Sequence, residues 1–162
     1  MPERQTIERA RRDKREGKSA STQAGEFVRE EMDHIRDGKH GARSAKQAIA
    51  IGLSKARRAG VKLAPSEDSP PDVKRKAKRD LEKGAEHDTP SPTRSRATRK
   101  ALEKEGTRAA SRTALARQAK KAASKRTAGE RSAAAKKGAR TKGAAGRKAA
   151  AKKAARTRAR EG

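Results

Sequence analysis

The chain of 162 residues has no Cys, no Trp and no Tyr, and Phe27 is its only aromatic ring. Lack of cysteine excludes disulfide staples, thiolate zinc sites and cysteine nucleophiles together. Lack of aromatics removes the base-stacking platforms of common single-strand and RNA-recognition modules. Large apolar residues are scarce too: hydrophobic residues make up 30% of the chain, and most of them are alanine. No stretch approaches the roughly 20 apolar residues of a membrane span, and the N-terminus is charged from Glu3 onward with no apolar signal region. The expectation is a cytoplasmic protein with no membrane partner. The six large apolar side chains of the one expected core enclose no water-free pocket, so pKa tuning has no place to operate and no enzyme is expected.

Charge dominates what remains. Charged residues are 41% of the chain, and 46 Lys and Arg against 20 Asp and Glu leave a net charge of +26. The excess is uneven. Residues 1–37 hold nine basic and nine acidic groups, residues 38–64 seven and none, residues 65–88 six and seven, and residues 89–162 hold 24 and four. High charge with few large apolar residues is the composition of disorder. A strongly one-signed segment repels itself unless a polyanion neutralises it. The pattern divides the chain into a charged N-terminal segment (1–21), a helical hairpin module (22–63), a linker with a short charged helix (64–92) and a Lys/Arg/Ala-rich tail (93–162).

Local signals place the helices. Thr6 to Arg15 pairs Glu8 with Arg11 and Arg12, and Arg12 with Glu16, at helical spacing, with Ile7 its only large apolar residue. Ser21 or Thr22 caps a second helix over 23–37, in which Ala24, Phe27, Val28, Met32 and Ile35 form one stripe. Glu26, Glu30 and Glu31 oppose that stripe, and Gly38 ends the helix in a left-handed conformation. Ser44 with Gln47 makes a capping box for a third helix through about Ala59, stopped by Gly60. Its stripe is Ala45, Ile49, Gly52, Leu53 and Ala56, and Gly52 permits close approach of another backbone. The resulting hairpin core is Phe27, Val28, Met32, Ile35, Ile49 and Leu53, each contributing roughly 1.5–3 kcal/mol if fully buried. So small a core is marginal, and a weak homodimer through Phe27, Val28 and Met32 is one way to complete it. A further short helix is expected over 73–86, and a break at Thr89 to Thr93. Beyond the break, units such as Ala134-Ala135-Lys136-Lys137 and Ala150-Ala151-Lys152-Lys153 recur about every 16 residues. Alanine offers too little apolar surface for these to stack as a solenoid. The fold class expected is therefore mostly α with extensive disorder: a short helical hairpin followed by a low-complexity basic tail, disordered or nascent helix.

The block from Gly38 to Gly60, with Lys39-His40-Gly41, Arg43-Ser44, Lys46-Gln47-Ala48-Ile49-Ala50-Ile51-Gly52-Leu53-Ser54 and Ala56-Arg57-Arg58-Ala59-Gly60, resembles a family of small bacterial proteins without an assigned role. Those proteins pair such a block with a basic tail. The resemblance implies bacterial origin. The tail itself is similar in composition to the Lys- and Ala-rich tails of linker histones and bacterial histone-like proteins, which implies nucleoid association.

The chemistry expected is electrostatic. Lys and Arg displace counterions condensed on phosphates, which drives binding without sequence preference. In the module, Arg43, Lys46, Lys55, Arg57, Arg58 and Lys62 are candidate phosphate anchors, with the helix from Ser44 laid on the major groove. The competing reading makes them the solvated face of an amphipathic helix. After the break, Arg94, Arg96, Arg99 and Lys100 continue the series, with Ser91-Pro92-Thr93-Arg94 similar to the Ser-Pro-x-basic turn of histone tails. Farther on come Lys120, Lys121, Lys125 and Arg126, then Lys136, Lys137, Arg140 and Lys142. Arg147, Lys148, Lys152, Lys153, Arg156, Arg158 and Arg160 complete the set. The duplex-DNA partner gives a nonspecific, nucleoid-associated architectural protein. Alternatives are a factor bound to RNA or the ribosome, and a protein-interaction module carrying a nucleic-acid-localising tail. His34, His40 and His87 are too scattered along the sequence to predict a metal site, and His40 reads as a turn residue or a phosphate neighbour. Residues 138–145 have the outer spacing of a phosphate-binding loop but lack the Lys and hydroxyl residue that follow its second Gly. No metal and no cofactor is expected.

Overall fold

Seven α-helices and one 3₁₀ turn form among the described residues, 2–86 and 91–161 of the computed structural model. They are α1 (Arg4–Arg15), α2 (Ala20–Arg36), α3 (Ala45–Arg58), α4 (Pro71–Ala85), α5 (Pro92–Glu103), the 3₁₀ turn Thr107–Ala110, α6 (Arg112–Ser124) and α7 (Ala128–Glu161). The chain divides into two compact units, Met1–Gln118 and Ala119–Gly162.

In the first unit α2 is the central element, packed by α1 on one side and α3 on another, with α4 against α3 and the 3₁₀ turn against both α2 and α3. Ser44 Oγ accepts from Gln47 N at 3.2 Å, so α3 starts where its capping box places it; Gln47 Oε1 reaches one residue beyond the cap, to Arg43 N at 2.9 Å. The cap of α2 lies earlier than expected. Ser19, rather than Ser21 or Thr22, accepts from Thr22 N at 3.3 Å. Gly38 takes the left-handed conformation expected of it, with φ 71°, and Gly60, the expected stop of α3, takes one as well, with φ 89°. Gly52 is the close-approach site: a Cβ there would stand 2.7 Å from Val28 Cα, so the α2–α3 crossing requires a residue without a side chain.

Two apolar clusters hold this unit. Phe27 joins Ala10, Ala24, Ala56 and Val61, with Ile7, Leu53 and Leu63 at its edge. Met32 and Ile35 join Ala42, Ala48, Ala109 and Ala110, with Val28, Ile49 and Leu115 at theirs. The six expected core residues are all here. The structure adds α1 through Ala10, α4 through Ala77, and a segment from the expected tail through Ala109 and Ala110, each of these alanines 6% exposed or less. Main-chain bonds secure that last segment. Gly41 N donates to Leu102 O at 2.9 Å and Ala42 N to Gly106 O at 3.2 Å, and Gly41 leaves no room for a Cβ beside the Glu105 carbonyl.

The expected fold class needs correction. The chain is not a short hairpin trailed by extensive disorder, because helices run through most of 92–161. Two physical causes outweigh the repulsion of like charges. Ala, Lys and Arg have high helix propensity, and α7 opens on a capping box: Thr127 N donates to Glu130 Oε2 at 2.7 Å and Glu130 N to Thr127 Oγ1 at 3.2 Å. The helix then breaks at Gly143, where φ 64° and ψ 178° lie outside the helical region. Arg147 Nη1 donates to Ala139 O at 2.8 Å and so occupies a carbonyl near the end of the first half. Ser91-Pro92-Thr93-Arg94 is likewise the start of α5, with Pro92 at its first turn. Thr89 and Pro90 of the expected break, and His87, lie outside the described residues.

Candidate nucleic-acid interface

The expected phosphate anchors separate into two groups by what surrounds them. In the module, Lys55 Nζ lies 2.6 Å from Glu31 Oε2, and Arg57, 9% exposed, donates from Nε to Leu63 O at 2.9 Å. Arg58 Nε pairs with Asp80 Oδ1 at 2.9 Å, and Asp80 Oδ2 accepts from Ser54 Oγ at 2.7 Å. These three cations therefore tie α3 to α2, to the loop that follows it and to α4. Arg43, Lys46 and Lys62 are exposed. In α5, Arg94, Arg96, Arg99 and Lys100 are exposed, and Arg99 pairs with Glu103 at 2.9 Å within the helix.

The second unit is different in kind. Residues 119–162 carry 16 Lys and Arg against Glu130 and Glu161. Every one of those cations is exposed, from Lys120 and Lys121 through Lys136, Lys137, Arg140 and Lys142 to Arg156, Arg158 and Arg160. Among the described residues none of them forms a salt bridge. Hydrogen bonds from Thr127 hold the Glu130 carboxyl below its ordinary value, so the one acidic group of the first turn stays ionised as a cap. On α7 the cations fall on all sides of the helix.

One further basic feature has no signal in the sequence. Arg36, Arg108 and Arg112 line an open cleft with Thr107, Ala110 and Ser111. Arg36 comes from α2 and donates from Nε to Ala110 O at 3.1 Å; Ser111 Oγ accepts from Ala114 N at 3.2 Å at the start of α6. No local pattern distinguishes these arginines, because the fold of the 107–112 segment onto α2 is what brings them together.

Two expectations about polar residues are reversed. Glu30 and Glu31, expected on the solvent side of α2, are 4% and 0% exposed. The α1 start covers Glu30, whose carboxylate accepts from Glu3 N at 3.2 and 3.3 Å, and α3 delivers Lys55 to Glu31. His34 and His40, expected to lie apart, meet, with ring centroids 6.1 Å apart in an edge-to-face arrangement. Of Phe27, Val28 and Met32, expected at a dimer contact, Phe27 and Met32 are 1% and 5% exposed within one chain and Val28 is half-buried.

Residues 4–67 match a family of unknown function, DUF6496. The match spans α1 to α3 and contains the Gly38–Gly60 block. No curated protein and no solved structure matches the chain. Among the described residues no helix is long and apolar enough to cross a membrane.

Proposed function

We propose that the protein binds duplex DNA without sequence preference and acts as a nucleoid-associated, histone-like architectural protein. The observation that carries this reading is the unpaired basic surface of residues 119–161. A cation already balanced by a carboxylate gains little from a phosphate; these have none to give up. Helical order supports the reading further, since side chains on a preformed helix lose less freedom on binding than those on a coil. The 34 residues of α7 span about 50 Å of helix, counting both halves, at 1.5 Å per residue. Duplex DNA offers one phosphate charge per about 1.7 Å of axis, so each half of α7 meets far more phosphates than it has cations. Charges spread around the helix suit a polyanion met from any side and give no means of reading base edges.

The first unit contributes Arg43, Lys46 and Lys62 and the cleft of Arg36, Arg108 and Arg112 as secondary phosphate contacts. Lys55, Arg57 and Arg58 act in the fold. The role is binding, with no catalytic step.

Competition separates DNA from RNA. Full-length protein held on a labelled random-sequence duplex is challenged with unlabelled duplex or with structured RNA of equal length. Displacement by the duplex at equal or lower concentration is the expected result. Displacement by RNA at a tenfold lower concentration would assign the protein to RNA instead.

A further inference from the structure

Glu31, His34 and His40 each offer one donor atom, and the three atoms lie within 4.8 Å of one another. Glu31 and His34 are three residues apart on α2, so they share a face, and His40 arrives from the loop that the Gly38 turn folds back. Glu31 is fully buried. Its Oε2 is held by Lys55 Nζ at 2.6 Å, whereas Oε1 has no hydrogen-bond partner among the described residues. That oxygen faces His40 Nε2 at 3.4 Å. A buried carboxylate oxygen left unbonded costs free energy unless something occupies it.

We infer that Glu31, His34 and His40 form a binding site for a divalent transition-metal ion of the zinc class, which fastens the loop from Gly38 to Ser44 onto α2. Donor separations support this. Two ligands of a tetrahedral zinc ion at about 2.0–2.1 Å stand about 3.4 Å apart, and Glu31 Oε1 and His40 Nε2 already have that spacing. The two sides that meet at His34 are each at most 4.8 Å, so closing them needs a shift of at most roughly 1.5 Å, within reach of a side-chain rotation of His34. Two imidazoles and one carboxylate are the donors of borderline metals rather than of calcium or magnesium, which prefer all-oxygen shells. Three protein donors leave a fourth position for water.

The surroundings favour a cation. Glu3 Oε1 stands 2.8 Å from His34 Nε2, and Glu30 Oε1 stands 3.9 Å from it. Lys39 pairs with Glu3 and Lys55 with Glu31, so three carboxylates face two ammonium groups around the imidazoles. The bound ion tightens the same loop whose Gly41 and Ala42 receive the 102–106 segment. It therefore stabilises the whole first unit, independently of any nucleic acid.

Full-length protein without a histidine tag, freed of metal by chelation, is titrated with Co²⁺ while visible absorption is followed, and then with Zn²⁺. Thermal melting is recorded in parallel with each ion. One equivalent of Co²⁺ should give ligand-field bands that Zn²⁺ abolishes, and Zn²⁺ should raise the melting temperature. His34→Asn and His40→Asn, with metal-free melting temperatures close to that of the parent, should each weaken Co²⁺ binding tenfold or more. Absence of bands and of a melting shift in the unaltered protein overturns the site. So does undiminished binding in the double His34→Asn, His40→Asn variant.

Discussion

The ammonium of Lys55 lies 2.6 Å from Oε2 of Glu31, a side chain with no exposed surface, and this pair joins the middle of α2 to α3. It gives Lys55 a structural duty that its place in a basic block concealed. Replacing Lys55 by Ala strands a buried charge, which typically costs about 3–5 kcal/mol, with the lower end apt for a lysine still 24% exposed. Urea melts of the full chain should show that loss, while affinity for duplex DNA, measured where the variant is folded, stays within twofold of the parent. A stable variant with weakened DNA binding would return Lys55 to the phosphate contacts.

The α2–α3 crossing depends on Gly52. A Cβ at that position meets the Val28 backbone, which cannot yield without separating the helices. Gly52→Ala should therefore destabilise by roughly 1–3 kcal/mol, as overpacking does. Gly138→Ala, inside α7 with nothing within 4 Å of the added methyl, should go the other way and raise helicity by far-UV circular dichroism.

Ala110 has no exposed surface, whereas Ala116, six residues onward in α6, is exposed. Ala110→Glu forces a much larger side chain into the filled space beside Met32 and Ile35 and should cost several kcal/mol by overpacking. Ala116→Glu should change stability by about 0.5 kcal/mol or less. Equal effects in chemical denaturation would mean that the 107–110 turn is not part of the core.

Acid should loosen the start of α1. The hydrogen bond from His34, then that from Lys39, holds the Glu3 carboxyl below its ordinary value near 4.5. A carboxyl depressed in the folded state stabilises above its unfolded value and loses that contribution as pH falls through the lower folded value. Denaturation midpoints should therefore fall below about pH 4.5, and less so in Glu3→Gln. Lys18 behaves oppositely. Asp13 first and Glu16 second hold its ammonium above its ordinary value near 10.5, so its contribution is complete below that pH and lost as pH rises through the higher folded value.

The parts of the fold legible in the sequence were those written in local pattern. Ser44 and Gln47 announce a helix start by type and spacing, Gly38 and Gly60 announce stops, and the 3.6-residue recurrence of Phe27, Met32 and Ile35 announces a buried face. What composition hid was long-range. Ala109 and Ala110 look like any other alanines of a basic stretch, yet small size is what lets them enter the space between α2 and α3. Glu30 and Glu31 read as solvent-facing because the apolar pattern of α2 is a single stripe, whereas a central helix has neighbours on several sides. The meeting of His34 and His40 likewise depends on a turn whose existence the glycines announce and whose direction they do not. The Thr127 to Glu130 capping box is visible in the spacing, but the charge of the segment around it argues for disorder.

The measurement closest to the central claim is the salt dependence of duplex-DNA affinity for the full chain and for a variant with Lys136, Lys137, Lys152 and Lys153 all changed to Gln. If ten phosphates are neutralised, log K should fall with log salt at a slope of about −9, and removing four contacts should flatten that slope by about 3–4. A shallow slope for the parent, or one that the fourfold variant leaves unchanged, would contradict phosphate neutralisation by residues 119–161 as the basis of function.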